Sequence, residues 1–71
     1  MPKRLGSSDV IRVLQAHGFS FVSQKGSHVK YRKPADSALT VIVPADRRQI
    51  PKGTFGSILR QSGLKSEDFE K

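Results

Sequence analysis

The N-terminal third of the chain has apolar residues at the spacing of an amphipathic helix. Val10, Val13 and Leu14 fall at i, i+3 and i+4, His17 continues the same face at i+7, and Ile11 lies beside them. Residues at this spacing form one face of a helix. Ser7 or Ser8 can cap its start, and Asp9 suits the positive first turn. Gly18 can take the left-handed position after its end, so we predict a first helix over SSDVIRVLQAHG.

Three segments in the middle of the chain are typical of β-strands: FSFVSQ, HVKYRK and LTVIV. The first two alternate in character, and the third is rich in β-branched residues. Lys25 and Gly26 separate the first pair as a hairpin turn does, and residues 34–37 form the next turn. Pro44 ends the third strand. Because both connections are short, the sheet is predicted to be antiparallel.

A second helix is predicted after a polar and basic connection, ADRRQIPKG. Pro51 occupies a position where a first helical turn tolerates proline, and Gly63 ends the helix. Its apolar face contains Phe55, Ile58 and Leu59. Ser66, followed by two acidic residues, can start one more helical turn.

The predicted fold is a small α+β domain of order α-β-β-β-α, with a three-stranded antiparallel sheet and both helices on one face. Val29 and Tyr31 provide the apolar surface that the helices need to cover, because alternate strand residues face the same side. His28, Lys30 and Arg32 then point to the opposite, open face. With 71 residues the chain forms one domain over its whole length, with a thin core.

The chain is strongly basic, with 13 Lys and Arg against 6 Asp and Glu and a net charge of +7. Residues 1–66 contain twelve of the cations and only three of the anions, which gives +9. Such a charge favours a nucleic acid, an acidic protein or an anionic membrane as partner, and nucleic acid fits best. The acidic tail, residues 67–70, is a charged helix start or, alternatively, masks the basic face when RNA is absent.

Several classes of function are excluded by what the sequence lacks. It has no cysteine and only two histidines, which rules out disulfides and thiolate nucleophiles and leaves too few ligands for a structural zinc site. The N-terminus has no apolar signal region, and no stretch has the length of a membrane span. We expect no metal, no other cofactor, no membrane and a cytoplasmic location.

The stretch KGSHVKY, residues 25–31, combines a histidine with cations and small residues. RNA carries its own nucleophile, the 2′-hydroxyl, so its cleavage needs a base, an acid and positive charge, but no metal-bound water. Histidine suits either proton role, since its ordinary pKa of about 6.5 is near neutral pH. His28 is therefore a candidate catalytic residue, the alternative being a solvated strand residue without function.

The neighbours of His28 have matching tasks. Lys25, Lys30 and Arg32 could bind or stabilise the phosphate charge. Gly26 allows backbone N–H groups to approach a phosphate, and Ser27 adds a donor.

The other polar residues have two interpretations each. His17 caps the first helix or serves as second proton-transfer group, a role also open to Tyr31, a lysine or water. Tyr31 is predicted as a core aromatic rather than a base-stacking platform. The loop cations either are solvated or contact phosphate near the second helix N-terminus: Arg47, Arg48 and Lys52.

Three motifs in order resemble the HicA-type toxins (YcfA-like family), the small ribonucleases of HicA/HicB toxin–antitoxin pairs. SDVIRVLQAHGF resembles the family's first helix and glycine turn, and QKGSHVKYRKP its central G-S-H-x-x-Y motif. VIVPADRRQIPKGTFGSILRQSGL resembles its V-x-V-P strand and the helix after it. The resemblance covers nearly the whole chain.

This resemblance implies a dsRBD-like fold and a type II toxin, an mRNA interferase that cleaves messenger RNA without metal, with His28 as catalytic residue. It also implies an acidic HicB-type antitoxin that covers His28 in a hetero-oligomer. Many members have a histidine shortly after V-x-V-P, where this chain has Asp46. A second histidine for proton transfer is therefore missing at that position, and His28 has fewer partners for this chemistry.

We therefore predict a metal-independent endoribonuclease toxin that uses His28 as general acid/base. The alternative is a non-catalytic, dsRBD-like RNA-binding module that uses the same basic face. A third interpretation is a protein-interaction domain whose charge only recruits an acidic partner.

Overall fold

Two α-helices flank a three-stranded meander in the sequence, which gives the order α-β-β-β-α. The computed structural model describes residues 5–34 and 38–70. The elements are α1 (Ser7–Ala16), β1 (Ser20–Lys25), β2 (His28–Lys33), β3 (Leu39–Pro44), α2 (Lys52–Ser62) and a 3-10 helix, η1 (Ser66–Phe69). The strands pair antiparallel in the order β1-β2-β3. The predicted fold class is confirmed, while part of the second predicted turn, residues 35–37, lies outside the described residues.

The start of α1 differs from the prediction, because neither Ser7 nor Ser8 caps it. Gly6 is the N-cap residue, and its N–H donates to Asp9 Oδ2 at 3.0 Å. The Ser7 hydroxyl instead donates to the carbonyl oxygen of Pro44 and accepts the N–H of Arg47 at 2.9 Å. A serine that could have capped the helix thus connects it to the end of β3.

The core lies between the helices and one face of the sheet, as predicted. Val29 and Tyr31 are 6% and 5% exposed, and both point into this core. The other buried apolar side chains are Val10, Leu14, Phe19, Val41, Val43, Ile58 and Phe69. Phe69 of η1 meets the ring of Phe55 edge to face at 5.2 Å. The acidic tail is therefore attached to the helix side of the sheet.

Strand β1 is the part of the sheet that the helices leave bare. Of the three strands, both helices pack mainly against β3, which forms the edge of the sheet opposite β1. Every residue of β1 is exposed, including Phe21 at 56% and Val22 at 47%. A β-bulge at Val22 interrupts the pairing with β2, because Phe21 pairs with Tyr31 and Ser23 pairs with Lys30.

Candidate active site

The hairpin between β1 and β2 places His28 at a fixed position. Gly26 and Ser27 form a two-residue turn, and Lys25 pairs with His28 directly across it. Gly26 has φ +59°, which a tight hairpin turn requires and which glycine adopts without strain. The Gln24 side chain donates to the Gly26 carbonyl at 3.1 Å. His28 is thus the first residue of β2, immediately after a well-defined turn.

The strand register then gathers cations around His28 on the open face. Lys30 lies between Ser23 of β1 and Ile42 of β3, and His28 lies between Lys25 and Pro44. A shallow depression of about 280 Å³ is lined by Ser23, Lys25, His28, Lys30 and Ile42. None of these five residues is acidic, and the imidazole is exposed to solvent. The depression can therefore receive an anionic ligand directly beside a proton-transfer group.

Most of the residues predicted around His28 are brought together here. Lys25 and Lys30 line the depression with His28, and Arg32 follows on the same face of β2. Gly26 and Ser27 form the turn at its edge. The Ser27 carbonyl accepts the N–H of Ala45 at 2.6 Å, which connects this turn to the residue after β3.

Two lining residues, Ser23 and Ile42, were missed by the sequence analysis. They belong to the strands on either side of β2 and both pair with Lys30. Cross-strand pairing could have revealed them, but only with the register known, and the bulge at Val22 shifts the register of β1 by one residue.

The remaining predicted cations lie elsewhere. Arg47 and Arg48 line a different concavity, on the helix side of the sheet, together with Phe21 and Tyr31. Lys52 is the exposed first residue of α2 and does not line the depression. The structure therefore does not group these three side chains with His28.

Two of the candidates for a second proton-transfer group, Tyr31 and His17, are also separated from His28. Tyr31 is only 5% exposed and faces the core, on the opposite side of the sheet. His17 is the half-buried C-cap residue of α1, just before Gly18, whose φ of +95° confirms the predicted end of the helix. It precedes the far end of β1, and since a strand rises roughly 3.3 Å per residue, about 16 Å separate that end from Lys25.

The described residues show neither a metal site nor a membrane-spanning helix. Among residues 5–34 and 38–70, no three histidine, aspartate or glutamate side chains are close enough together to hold a metal ion. No helix in this part of the chain is long and apolar enough to cross a membrane.

A family model decides the relationship of this chain to known proteins. The model of the HicA toxin of bacterial toxin–antitoxin systems matches residues 7–64. The chain belongs to the HicA toxin family. The match runs from the start of α1 to just beyond α2, so it includes the whole sheet and His28. This HicA protein is the toxin of such a system, and an antitoxin is its partner. A search of the curated proteins found no significant match.

Proposed function

We propose that this HicA toxin is an endoribonuclease that cleaves messenger RNA without a metal ion, with His28 as general acid/base. One observation carries the proposal: His28, Lys25 and Lys30 line the same exposed depression, on the face of the sheet opposite the buried Val29 and Tyr31. A phosphodiester placed there would meet a proton-transfer group and two ammonium groups together.

The reaction is an attack of the RNA on itself. The 2′-oxygen forms a bond to the adjacent phosphorus, and the bond from phosphorus to the 5′-oxygen breaks. His28 takes the proton of the 2′-hydroxyl, and the departing 5′-oxygen receives a proton from a lysine ammonium or from water, since Tyr31 faces the core. The products are a 2′,3′-cyclic phosphate and a free 5′-hydroxyl. A positioned general base contributes roughly 10²–10⁴-fold to such a step.

The two lysines stabilise the charge that develops on the phosphate oxygens. Positive groups fixed before the reaction act most strongly where charge develops, and the loss of one such donor costs about 10²–10³ in rate. Lys25 and Lys30 lie on adjacent strands, and both line the depression beside His28. Arg32, farther along β2, would bind the next phosphate of the strand, and the Gly26–Ser27 turn would approach the backbone closely.

The decisive experiment compares the two histidines. Wild type, His28→Ala and His17→Ala are incubated with end-labelled single-stranded RNA in excess EDTA, and the product ends are identified. We expect wild type and His17→Ala to give cyclic phosphate ends, and His28→Ala to cleave about 10²–10⁴-fold more slowly. Since His28 is exposed, the free energy of unfolding of His28→Ala should match that of wild type within about 0.5 kcal/mol, measured by thermal unfolding.

Two results would contradict this proposal. Cleavage by His28→Ala at the wild-type rate, in equal amounts of folded protein, excludes His28 as the catalytic base. RNA that is bound by wild type with strong salt dependence but never cut would support the non-catalytic RNA-binding module on the same face instead.

We further propose that the antitoxin is acidic and covers the depression at His28. The chain carries a net charge of +7, and the depression is lined by two lysines and no acidic residue, so carboxylates compete with RNA phosphates for the same surface. Addition of the antitoxin should stop cleavage and release bound RNA. An antitoxin that binds while RNA cleavage continues would show that it sits elsewhere.

A further inference from the structure

The described residues form a second concave surface, larger than the depression that holds His28. It lies on the helix side of the sheet, beside the bare strand β1, and has a volume of about 690 Å³. We name it the β1 groove, and define it by the residues that line it: Gly6, Ser7, Ser8, Asp9, Ile11, Phe21, Gln24, Val29, Tyr31, Ala45, Asp46, Arg47 and Arg48.

The β1 groove has an apolar floor that the fold leaves uncovered. Phe21 is 56% exposed and meets the ring of Tyr31 edge to face at 6.1 Å. Ile11 of α1, a half-buried apolar residue, also lines the groove. Burial of an exposed phenylalanine is favourable by about 25 cal/mol per Å² of apolar surface removed from water, so a ligand with an apolar side chain gains affinity here.

The groove is also lined by a loop, residues 45–48, whose backbone is fixed by contacts with the start of α1. The N–H of Ser7 donates to the Arg47 carbonyl at 2.9 Å, and the N–H of Ile50 donates to the Leu5 carbonyl at 2.7 Å. A Cβ on Gly6 would lie 2.7 Å from the Arg48 carbonyl oxygen, so only glycine allows this contact. The loop that carries both arginines is therefore preorganised, which lowers the cost of binding.

The charges of the β1 groove discriminate between possible occupants. Arg47 and Arg48 can each pair with a single carboxylate, but Asp9 and Asp46 balance their charge, so the groove attracts the repeated charges of an RNA strand less than the cationic depression does. A second copy of this chain would bring another charge of +7 to the same surface. A peptide with an apolar side chain and a neighbouring carboxylate satisfies both the floor and the arginines.

We propose that the β1 groove binds an apolar segment of the antitoxin, on the side of the sheet opposite His28, with an antitoxin carboxylate paired to Arg47 or Arg48. This inference rests on the toxin–antitoxin role of the chain and not on the chemistry of His28. The antitoxin then holds its toxin by two surfaces, one that covers the cationic depression and one that anchors apolar side chains.

The test measures antitoxin affinity by calorimetry, with the full chain carrying His28→Ala so that it can be produced safely. Phe21→Ser should weaken binding by at least about tenfold, as expected for an aromatic anchor. Val22→Ser is the matched control, because Val22 is 47% exposed on the same strand but does not line the β1 groove. Its affinity should stay within about twofold of the His28→Ala parent.

A charge variant keeps the test decisive if Phe21→Ser does not fold. Arg48 is exposed, so Arg48→Glu should fold normally and weaken antitoxin binding, while Arg48→Lys should restore most of it. In the chain with His28 intact, Phe21→Ser should cut RNA at the wild-type rate but need more antitoxin to be inhibited. This readout separates the groove from the nuclease proposal, which is tested by RNA cleavage in wild type and His28→Ala without antitoxin.

Three results would overturn the inference. Phe21→Ser and Arg48→Glu could both bind the antitoxin as tightly as the parent chain. Phe21→Ser could lower RNA affinity instead, which would make the β1 groove a base-binding site. The free chain could also self-associate in sedimentation through Phe21, which would assign the groove to a second copy.

Discussion

Strand β2 supplies side chains to both faces of the sheet, and the two sets lie in opposite environments. Val29 and Tyr31 are buried beneath the helices, whereas His28, Lys30 and Arg32 are exposed to solvent. Neighbours in sequence therefore have separate tasks, because one set excludes water and the other meets a ligand. Substitutions on β2 should therefore change either the stability or the chemistry of this toxin, but rarely both.

The largest effect on stability is expected at Tyr31, on the covered face. Tyr31→Ala removes a buried ring from a small core and should lower the free energy of unfolding by about 3–5 kcal/mol, measured by urea denaturation. Arg32→Ala, one residue along, should stay within about 0.5 kcal/mol of wild type. Equal losses from the two changes would show that the faces are not separated.

Tyr31→Phe separates the packing of the Tyr31 ring from any chemistry of its hydroxyl, because it keeps the ring and removes the hydroxyl. The variant should cut RNA at the wild-type rate, since Tyr31 points away from His28. A large loss of cleavage in a folded Tyr31→Phe protein would make this hydroxyl a candidate proton donor again.

A smaller effect is expected at Ser7, a polar residue that is nevertheless 5% exposed on the covered side. Ser7→Ala removes the hydroxyl that bridges Pro44 and Arg47, and an unsatisfied buried group costs about 1–3 kcal/mol. The exposed neighbour provides the control, since Ser8→Ala should have almost no effect on unfolding. If both alanine variants unfolded alike, the bridge would contribute nothing.

The smallest stability change is expected from Lys25→Gln with Lys30→Gln on the open face, within about 0.5 kcal/mol. The quantity expected to change is the slope of the logarithm of RNA affinity against the logarithm of salt concentration. Its magnitude falls by about 0.7 for each phosphate of a single strand that the protein no longer neutralises. Lys65→Gln, at the start of η1, removes one positive charge that lies outside the depression. This variant should leave the slope unchanged, and an equal decrease per removed charge would mean that only net charge matters.

Local patterns in the sequence were sufficient for the fold. The alternation of β2 predicted which of its residues are buried, and Gly18 and Gly63 predicted where the helices end. These features depend on nearby residues and backbone sterics alone. The same local logic failed at Ser7, because Gly6 approaches the Arg48 carbonyl closely and the serine hydroxyl bonds across 37 residues to Pro44.

The candidate site was only partly predictable for a related reason. The sequence motif contained His28, Lys25 and Lys30, and pairing across one tight turn kept them together. Arg47 and Arg48 were equally suitable by charge, but the bonds of their loop to α1 place them on the other side of the sheet. The exposure of Phe21 likewise depends on which strand the helices cover, and no periodicity within β1 contains that information.

The bulge at Val22 has a consequence for the time when the toxin is without its antitoxin. A straight, apolar edge strand offers its backbone to other chains and promotes aggregation, and β1 is an edge strand with two exposed apolar residues. The extra residue bends the strand and breaks the regular spacing of its N–H and C=O groups. We therefore expect the free toxin not to aggregate, so that Phe21 stays accessible and can bind the antitoxin again.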